Sequence, residues 1–225
     1  MDLYIIHGWT YTIDYWEETL KLLEKSGYKV KMLRVPGLTE PSRRVWTIDE
    51  YVEWADREIP DGAVALGHSN GGRILLNLCS KNPKKLSHLI LLSSAGIYEK
   101  SLKKSTVRAM AKIGKPLKKI PGVGKVFHKL TGSTDYDKAP ANMKKTLTNM
   151  LSSDKNLDIS KVTTKTSIIW GKQDNITPPR HAEKIKAALP HATLEYFDDW
   201  NHAPYIKHPD ELAKAISKIL NTKKK

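Results

Sequence analysis

Ala63-Val64-Ala65-Leu66-Gly67-His68-Ser69-Asn70-Gly71-Gly72, running on into the helical stretch Arg73 to Ser80, is the segment that decides the fold. Four apolar residues suited to a buried strand lead into a Gly-x-Ser-x-Gly spacing, and a helix-forming run follows it. In that strand–turn–helix context the serine sits on a sharp turn with its hydroxyl projecting. Glycine at 67 and 71 leaves room for the neighbouring elements to approach so tight a turn. With 13 Gly and 15 Ser in 225 residues, the pattern arises by chance about 0.05 times, so it counts as a signal.

A serine hydroxyl is a poor nucleophile at neutral pH. It needs an imidazole to take its proton, and the imidazole needs a carboxylate to fix its tautomer. Both are expected downstream, acid first. Thr166 to Trp170 reads as a strand and is followed by Gly171-Lys172-Gln173-Asp174; Thr193 to Phe197 reads as the next and is followed by Asn201-His202-Ala203-Pro204. Ser69, Asp174 and His202 are therefore expected in loops that one sheet brings together at its carboxyl end, the last two in consecutive loops. Asp198 and Asp199 lie nearer His202 in sequence but on the end of its own strand, where they reach the ring poorly. His181 and His191 flank a helix, and His88 and His128 have no acid at a useful offset. His68 is read as a packing or hydrogen-bonding residue of the turn.

Acyl transfer also requires donors for the developing oxyanion, each costing roughly 3 to 4 kcal/mol when removed. The backbone N–H of Asn70, at a helix start, is the first candidate. His7-Gly8-Trp9, directly after the first strand, offers the second through the N–H of Trp9, with His7 bracing the loop and the Trp9 ring lining the pocket.

Working outward, strands are expected at 2 to 6, 29 to 34, 63 to 67, 88 to 93, 166 to 170 and 193 to 197, with helices between them, the pattern of a parallel sheet covered on both faces. Asp14 with Glu17, and Thr47 with Glu50, have the spacing of helix capping boxes. Gly27 closes the first helix, Pro178 and Pro179 open another running to about Ala188, and the last helix covers about 209 to 220. The alternation breaks over 97–160, which shows helical patterning (Met143, Leu147 and Met150 on one face) and no strand. The core is thus 1–96 with 161–225, and 97–160 is an inserted helical lid. Its apolar residues Ile97, Tyr98, Met110, Val126, Phe127 and Met143 point to a pocket for a small-to-medium hydrophobic acyl or alkyl group.

One α/β domain accounts for 225 residues. The 40% hydrophobic and 28% charged fractions are those of a globular chain. No apolar run approaches the ~20 residues of a membrane span, and no basic leader with a cleavage site precedes Ile6, so the expected compartment is the cytoplasm. The single cysteine, Cys79, among Leu75, Leu76 and Leu78, reads as a small buried hydrophobe. Of the net charge of +14, residues 97 to 165 carry +11, from fifteen Lys and one Arg against five acids. No nucleic-acid-binding signature accompanies this excess, so a solvated lysine-rich face is expected and no nucleic-acid partner. Lys223 to Lys225 read as a frayed tail.

The set His-Gly-Trp (7–9), Gly-His-Ser-Asn-Gly-Gly (67–72), Trp-Gly-Lys-Gln-Asp-Asn-Ile-Thr-Pro-Pro (170–179) and Asn-His-Ala-Pro (201–204) resembles the α/β-hydrolase superfamily over essentially the whole chain. The resemblance implies an α/β-hydrolase fold: about six mostly parallel strands, helices on both faces and a helical lid, lacking the two strands that usually precede the His-Gly loop. It implies a serine hydrolase with Ser69 as nucleophile, His202 as base and Asp174 as orienting acid. By family topology, Lys29-Val30-Lys31-Met32 becomes an edge strand, and its alternating lysines suit an edge that must not pair with another molecule.

Serine at 69, where dehalogenases and epoxide hydrolases of the superfamily have Asp, argues for acyl hydrolysis. No zinc-binding His cluster and no phosphate-cradling glycine loop appear, so neither metal nor nucleotide cofactor is expected. The leading reading is a carboxylesterase acting on a small-molecule ester or lactone. Gly71-Gly72-Arg73 resembles the menaquinone-pathway and meta-cleavage hydrolases, which makes a carbon–carbon or thioester hydrolase of an anionic substrate the alternative. The blander reading of Arg73 is a salt-bridging surface residue. A non-catalytic binding protein on the same fold is the third reading, and the oligomeric state is open.

Overall fold

The computed structural model describes residues 1–98 and 139–221. Six strands, β1 (Asp2–Ile6), β2 (Lys29–Leu33), β3 (Ala63–His68), β4 (Leu86–Leu92), β5 (Thr166–Gly171) and β6 (Thr193–Phe197), form one parallel sheet in the order β2-β1-β3-β4-β5-β6. The helices are α1 (Glu17–Lys25), α2 (Ile48–Glu58), α3 (Asn70–Lys81), α4 (Ala141–Ser153), α5 (Arg180–Ala188), α6 (Pro204–Lys207) and α7 (Pro209–Asn221).

Side chains alternate across a strand, and that alternation divides the core in two. Leu3, Ile5, Val64, Leu66, Ile90 and Leu92 face one side, where Leu23 of α1 and Leu212, Ile216 and Leu220 of α7 cover them. Ile6, Ala65, Leu89, Leu91 and Ile168 face the other, under Tyr51 of α2, Ile74, Leu75 and Leu78 of α3 and Ile185 of α5. The inner strands are buried on both faces, as a doubly covered parallel sheet requires. β2 keeps Lys29 and Lys31 exposed and is an edge strand, as the family resemblance implies.

The chain runs from β1 out to β2, then returns to the other side of β1 with β3. This reversal opens a crevice beyond the carboxyl ends of β1 and β3, the place where open α/β sheets bind ligands. The loops after β5 and β6 are laced together by backbone bonds: Lys172 N–H donates to Phe197 O at 2.9 Å, and Gln173 N–H to Trp200 O at 3.0 Å.

Local rules succeed at some positions and fail at others. Thr47 and Glu50 make the reciprocal capping box at the start of α2. Asp14 caps nothing, contrary to the sequence expectation. Asp14–Trp16 is instead a 3-10 turn that runs straight into α1, whose first position has no side-chain cap. Gly27, at φ +85°, ends α1 with its N–H on Glu24 O, and Pro179 precedes α5 as expected. β4 begins at Leu86 and ends at Leu92, because Ser93 turns to φ +44°.

Within 97–160, residues 99–138 are outside the described part. α4 has the face read from sequence, with Met143, Leu147 and Met150 buried. It packs on the loop before α2: Trp46 N–H donates to Thr146 Oγ1 at 2.9 Å, and Asn149 Nδ2 donates to Trp46 O at 3.0 Å. Among the described residues no helix is long and apolar enough to cross a membrane.

Candidate active site

Ser69 occupies the turn between β3 and α3 at φ +51° and ψ −116°, a conformation that side chains avoid and that persists only where the surroundings enforce it. Here the enforcement is steric. A Cβ on Gly71 would collide with the carbonyl of Ile6, and one on Gly67 would lie 2.5 Å from Gly72 Cα. The glycines thus allow α3 to start hard against β1 and against the strand it leaves. Ser69 N–H donates to Leu92 O at 3.1 Å, and Ser69 O accepts from Ala95 N–H at 2.9 Å, so both sides of the turn are tied to the end of β4.

His202 Nε2 lies 3.0 Å from Ser69 Oγ, and His202 Nδ1 lies 2.8 Å from Asp174 Oδ2. Three residues read from separate loops are thereby in one hydrogen-bonded line. Asp174 is fully buried at its side chain, while 19% of the His202 side chain is exposed. Burial alone would raise the Asp174 carboxyl; the charge and hydrogen bond of His202, with the Thr177 N–H and hydroxyl, outweigh it and hold the group below the ordinary carboxylate value. Asp198 pairs with Lys172 at 2.6 Å and Asp199 meets Gln173 at 3.5 Å, so neither competes for the ring.

The first N–H of α3 belongs to Asn70, one of the four at a helix start that no helical carbonyl accepts. The His7–Trp9 loop lies against the serine: a Cβ on Gly8 would sit 3.0 Å from Ser69 Cβ and 2.9 Å from His68 Nδ1. His7 braces this loop, with Nδ1 2.7 Å from Gly8 O and Nε2 2.7 Å from Thr39 Oγ1. Burial lowers His7 to about 4, partly offset by its bond to Gly8. Trp9 is half-buried against the core.

His68 does more than pack. Its Nε2 lies 2.8 Å from the carbonyl of His202, so the elbow residue holds the backbone of the facing loop. Burial, and secondarily the charge of His202, lowers it to about 3. Tyr205, stacked on Trp16 at 4.1 Å and edge-on to His68 at 5.2 Å, closes this side.

Arg73 departs from the surface reading. It is 4% exposed and forms a two-pronged pair with Asp154, at 2.7 and 2.9 Å, while Nη1 donates to Asn70 Oδ1 at 2.5 Å. Its partner stands 81 residues away just after α4, which hid it from any local pattern. Thr177 was also missed. Its position three residues after Asp174, where N–H groups turn back on the preceding Asp as in an Asx turn, is the signal available for it.

Of the residues expected to line a pocket, Met110, Val126 and Phe127 lie outside the described residues. Met143 is 1% exposed and its thioether packs where a Cβ on Gly37 would stand. Ile97 is partly buried against the core. Tyr98 is 39% exposed, with Lys155 Nζ 5.6 Å from its ring centre. Cys79 is buried, which pushes its thiol up to about 11.

Residues 3–209 match the family model for the α/β hydrolase fold. The chain is 26% identical to the pimeloyl-[acyl-carrier protein] methyl ester esterase of Aromatoleum aromaticum, over 97% of this chain and 98% of that one. Among solved structures it resembles MGS-MChE2, an α/β hydrolase from the metagenome of sediments of the Mar Chica lagoon, with a TM-score of 0.71 and 25% identity over 100% of this chain and 92% of that one. A lipase-like protein from Acinetobacter baumannii shares the fold at a TM-score of 0.77 and 22% identity, covering 98% and 83% of the two chains. The site lies at the topological reversal of a six-stranded parallel sheet, and both fold and sequence place this chain in the α/β-hydrolase family, with esterases among the relatives it matches along its whole length.

Proposed function

We propose that the protein is a carboxylesterase that cleaves a small ester or lactone through an acyl-enzyme on Ser69. The observation that carries this reading is the line Ser69 Oγ to His202 Nε2 at 3.0 Å and His202 Nδ1 to Asp174 Oδ2 at 2.8 Å. The full-length likeness to an esterase supports it. Ser69 Oγ attacks the ester carbonyl carbon as its proton passes to His202 Nε2, and Asp174 stabilises the imidazolium and keeps Nδ1 protonated. The N–H groups of Asn70 and Trp9 receive the negative oxygen of the tetrahedral intermediate. Collapse breaks the bond to the alcohol, which leaves with the proton held by His202, and water then releases the acid by the same steps in reverse roles. In this reading the acyl group sits beside Trp9, with Ile97 and Tyr98 at its edge.

Ser69→Ala is expected to lower turnover of a p-nitrophenyl short-chain ester at least a thousandfold with an unchanged circular dichroism spectrum. Turnover within tenfold of the wild-type value would remove Ser69 from this role. A second reading follows from the +11 of residues 97–165, a charge that attracts anionic substrates. A methyl ester joined to an acyl-carrier protein, the substrate class of the Aromatoleum relative, or an anionic thioester belongs here. A panel of neutral esters, lactones, anionic thioesters and carrier-bound methyl esters separates the readings, since preference for the anionic members should fade with added salt.

A further inference from the structure

Thr177, in the loop between β5 and α5, is 6% exposed and its hydroxyl stands at the back of the hydrogen-bonded line. Its Oγ1 lies 2.8 Å from Asp174 Oδ2, 3.2 Å from His202 Nδ1 and 3.0 Å from Ser93 O. A hydroxyl has one proton to give, and two of these neighbours, the carboxylate and the carbonyl, only accept. The charge-assisted bond to the carboxylate is the shorter and the stronger. With the proton on Oδ2, the lone pairs of Oγ1 remain near the Nδ1–H of His202. The other carboxylate oxygen, Oδ1, is filled by Ile176 N–H at 2.8 Å and Thr177 N–H at 2.9 Å. Asp174 Oδ2 is therefore shared between two donors, and Thr177 is one of them.

A second observation sits on the far side of Thr177. Ser93, the residue after β4, adopts φ +44°, a conformation held against local preference. Its carbonyl is the one within reach of the Thr177 hydroxyl, and its own N–H donates to Ile169 O at 3.1 Å. The strained turn thus places a second acceptor behind Thr177, while the carboxylate of the Asp174 loop takes its proton.

We propose that Thr177 is a positioning residue for this site: by sharing Oδ2 of Asp174 with His202 Nδ1–H, its hydroxyl sets the orientation of the carboxylate and the strength of its hold on the imidazole. The proposal rests on the reading of Ser69, His202 and Asp174 as the reacting line. Among the described residues, the ionisable groups facing His202 are Asp174 from the β5 loop and, from the elbow, His68, which burial keeps neutral. Asp174 is thus the charged neighbour whose grip Thr177 adjusts.

The test is the downfield proton resonance of His202 Nδ1–H, followed by NMR in the wild type, Thr177→Val, Thr177→Ala and Thr177→Ser, together with ester kinetics. Removing the hydroxyl leaves Oδ2 to the imidazole alone, so in the valine variant the resonance moves downfield and kcat falls about tenfold with KM little changed. The serine variant stays near the wild type in both. Alanine guards against valine failing to fold, since either variant deletes the hydroxyl. An Nδ1–H resonance at the wild-type position in the folded valine or alanine variant overturns the proposal. Failure of the esterase reading would show separately, as ester turnover that survives Ser69→Ala, while the resonance still reports on Thr177.

Discussion

The two ends of the sheet hold similar charged groups in opposite ways. At the amino end, Lys85 reaches Asp61 at 2.8 Å and Asp56 at 3.1 Å, but the carboxylates are 85% and 48% exposed. At the carboxyl end, the Arg73–Asp154 pair is 5% and 6% exposed, and Asp174 has no exposed side-chain surface. In the first setting the Lys85 side chain is itself 6% exposed, but its ammonium is shared between two water-exposed carboxylates and the Asp56 carbonyl, so losing one carboxylate costs little. In the second, Asp154 depends on the Arg73 guanidinium, and Asp174 on His202 and the N–H groups of Ile176 and Thr177, so removing one partner strands the other. The cations are buried alike; it is burial of the carboxylate as well that makes a site of fixed geometry.

The comparison breaks most visibly at Asp174. Asp174→Asn is expected to cut ester turnover about 10⁴-fold, because an amide presents the wrong partner to Nδ1. Asp61→Asn should leave turnover unchanged and stability within about 0.5 kcal/mol. Equal effects in parallel kinetic and urea-unfolding measurements would erase the distinction. Next in size, Arg73→Leu leaves Asp154 buried without its partner and should cost about 3 to 5 kcal/mol; a loss below about 1 kcal/mol in chemical denaturation would mean that water already reaches the pair.

Acid sharpens the contrast further. Burial holds His7 at about 4 and His68 at about 3 in the folded protein, whereas unfolded imidazoles take up protons below about pH 6.5. The unfolded state therefore binds more protons as the pH falls. Stability present above pH 6.5 should be lost toward pH 4, at up to about 1.4 kcal/mol per pH unit for each ring. A denaturation midpoint that stays flat from pH 7 to 4.5 would contradict this, and His68→Gln should make the decline shallower. The smallest effect is expected at the helix cap: Thr47→Ala removes one acceptor and should cost ~1 kcal/mol in thermal unfolding.

Much of this was legible in the chain. The elbow could be read because Gly67 and Gly72 face each other across one turn, whereas Gly71 makes room for the Ile6 carbonyl of β1, a contact outside the motif. The Thr47–Glu50 box could be read for the same reason. Asp14–Glu17 has the same spacing, yet Trp16 N–H bonds to Ile13 O at 2.9 Å and winds the approach into a 3-10 turn, with Trp16 buried against Tyr205. Tertiary packing there overrode the local motif. Arg73 reads as a salt-bridging surface residue because charge usually means surface; the salt bridge is present, but its carboxylate, Asp154, lies far along the chain and buries the pair.

The sequence alone determined the strands, the parallel sheet, the strained serine and the order of acid and imidazole, since all of these follow from steric and hydrogen-bonding rules that act over a few residues. Only the tertiary structure decided that Ser69 and His202, 133 residues apart, meet at hydrogen-bonding distance, that Arg73 is buried against Asp154, and that Thr177 stands behind Asp174 against the turn at Ser93. Those pairings depend on which strand lies beside which and on how the loops beyond them are laced. Many distant contacts fix that arrangement together, and no short stretch of chain encodes it.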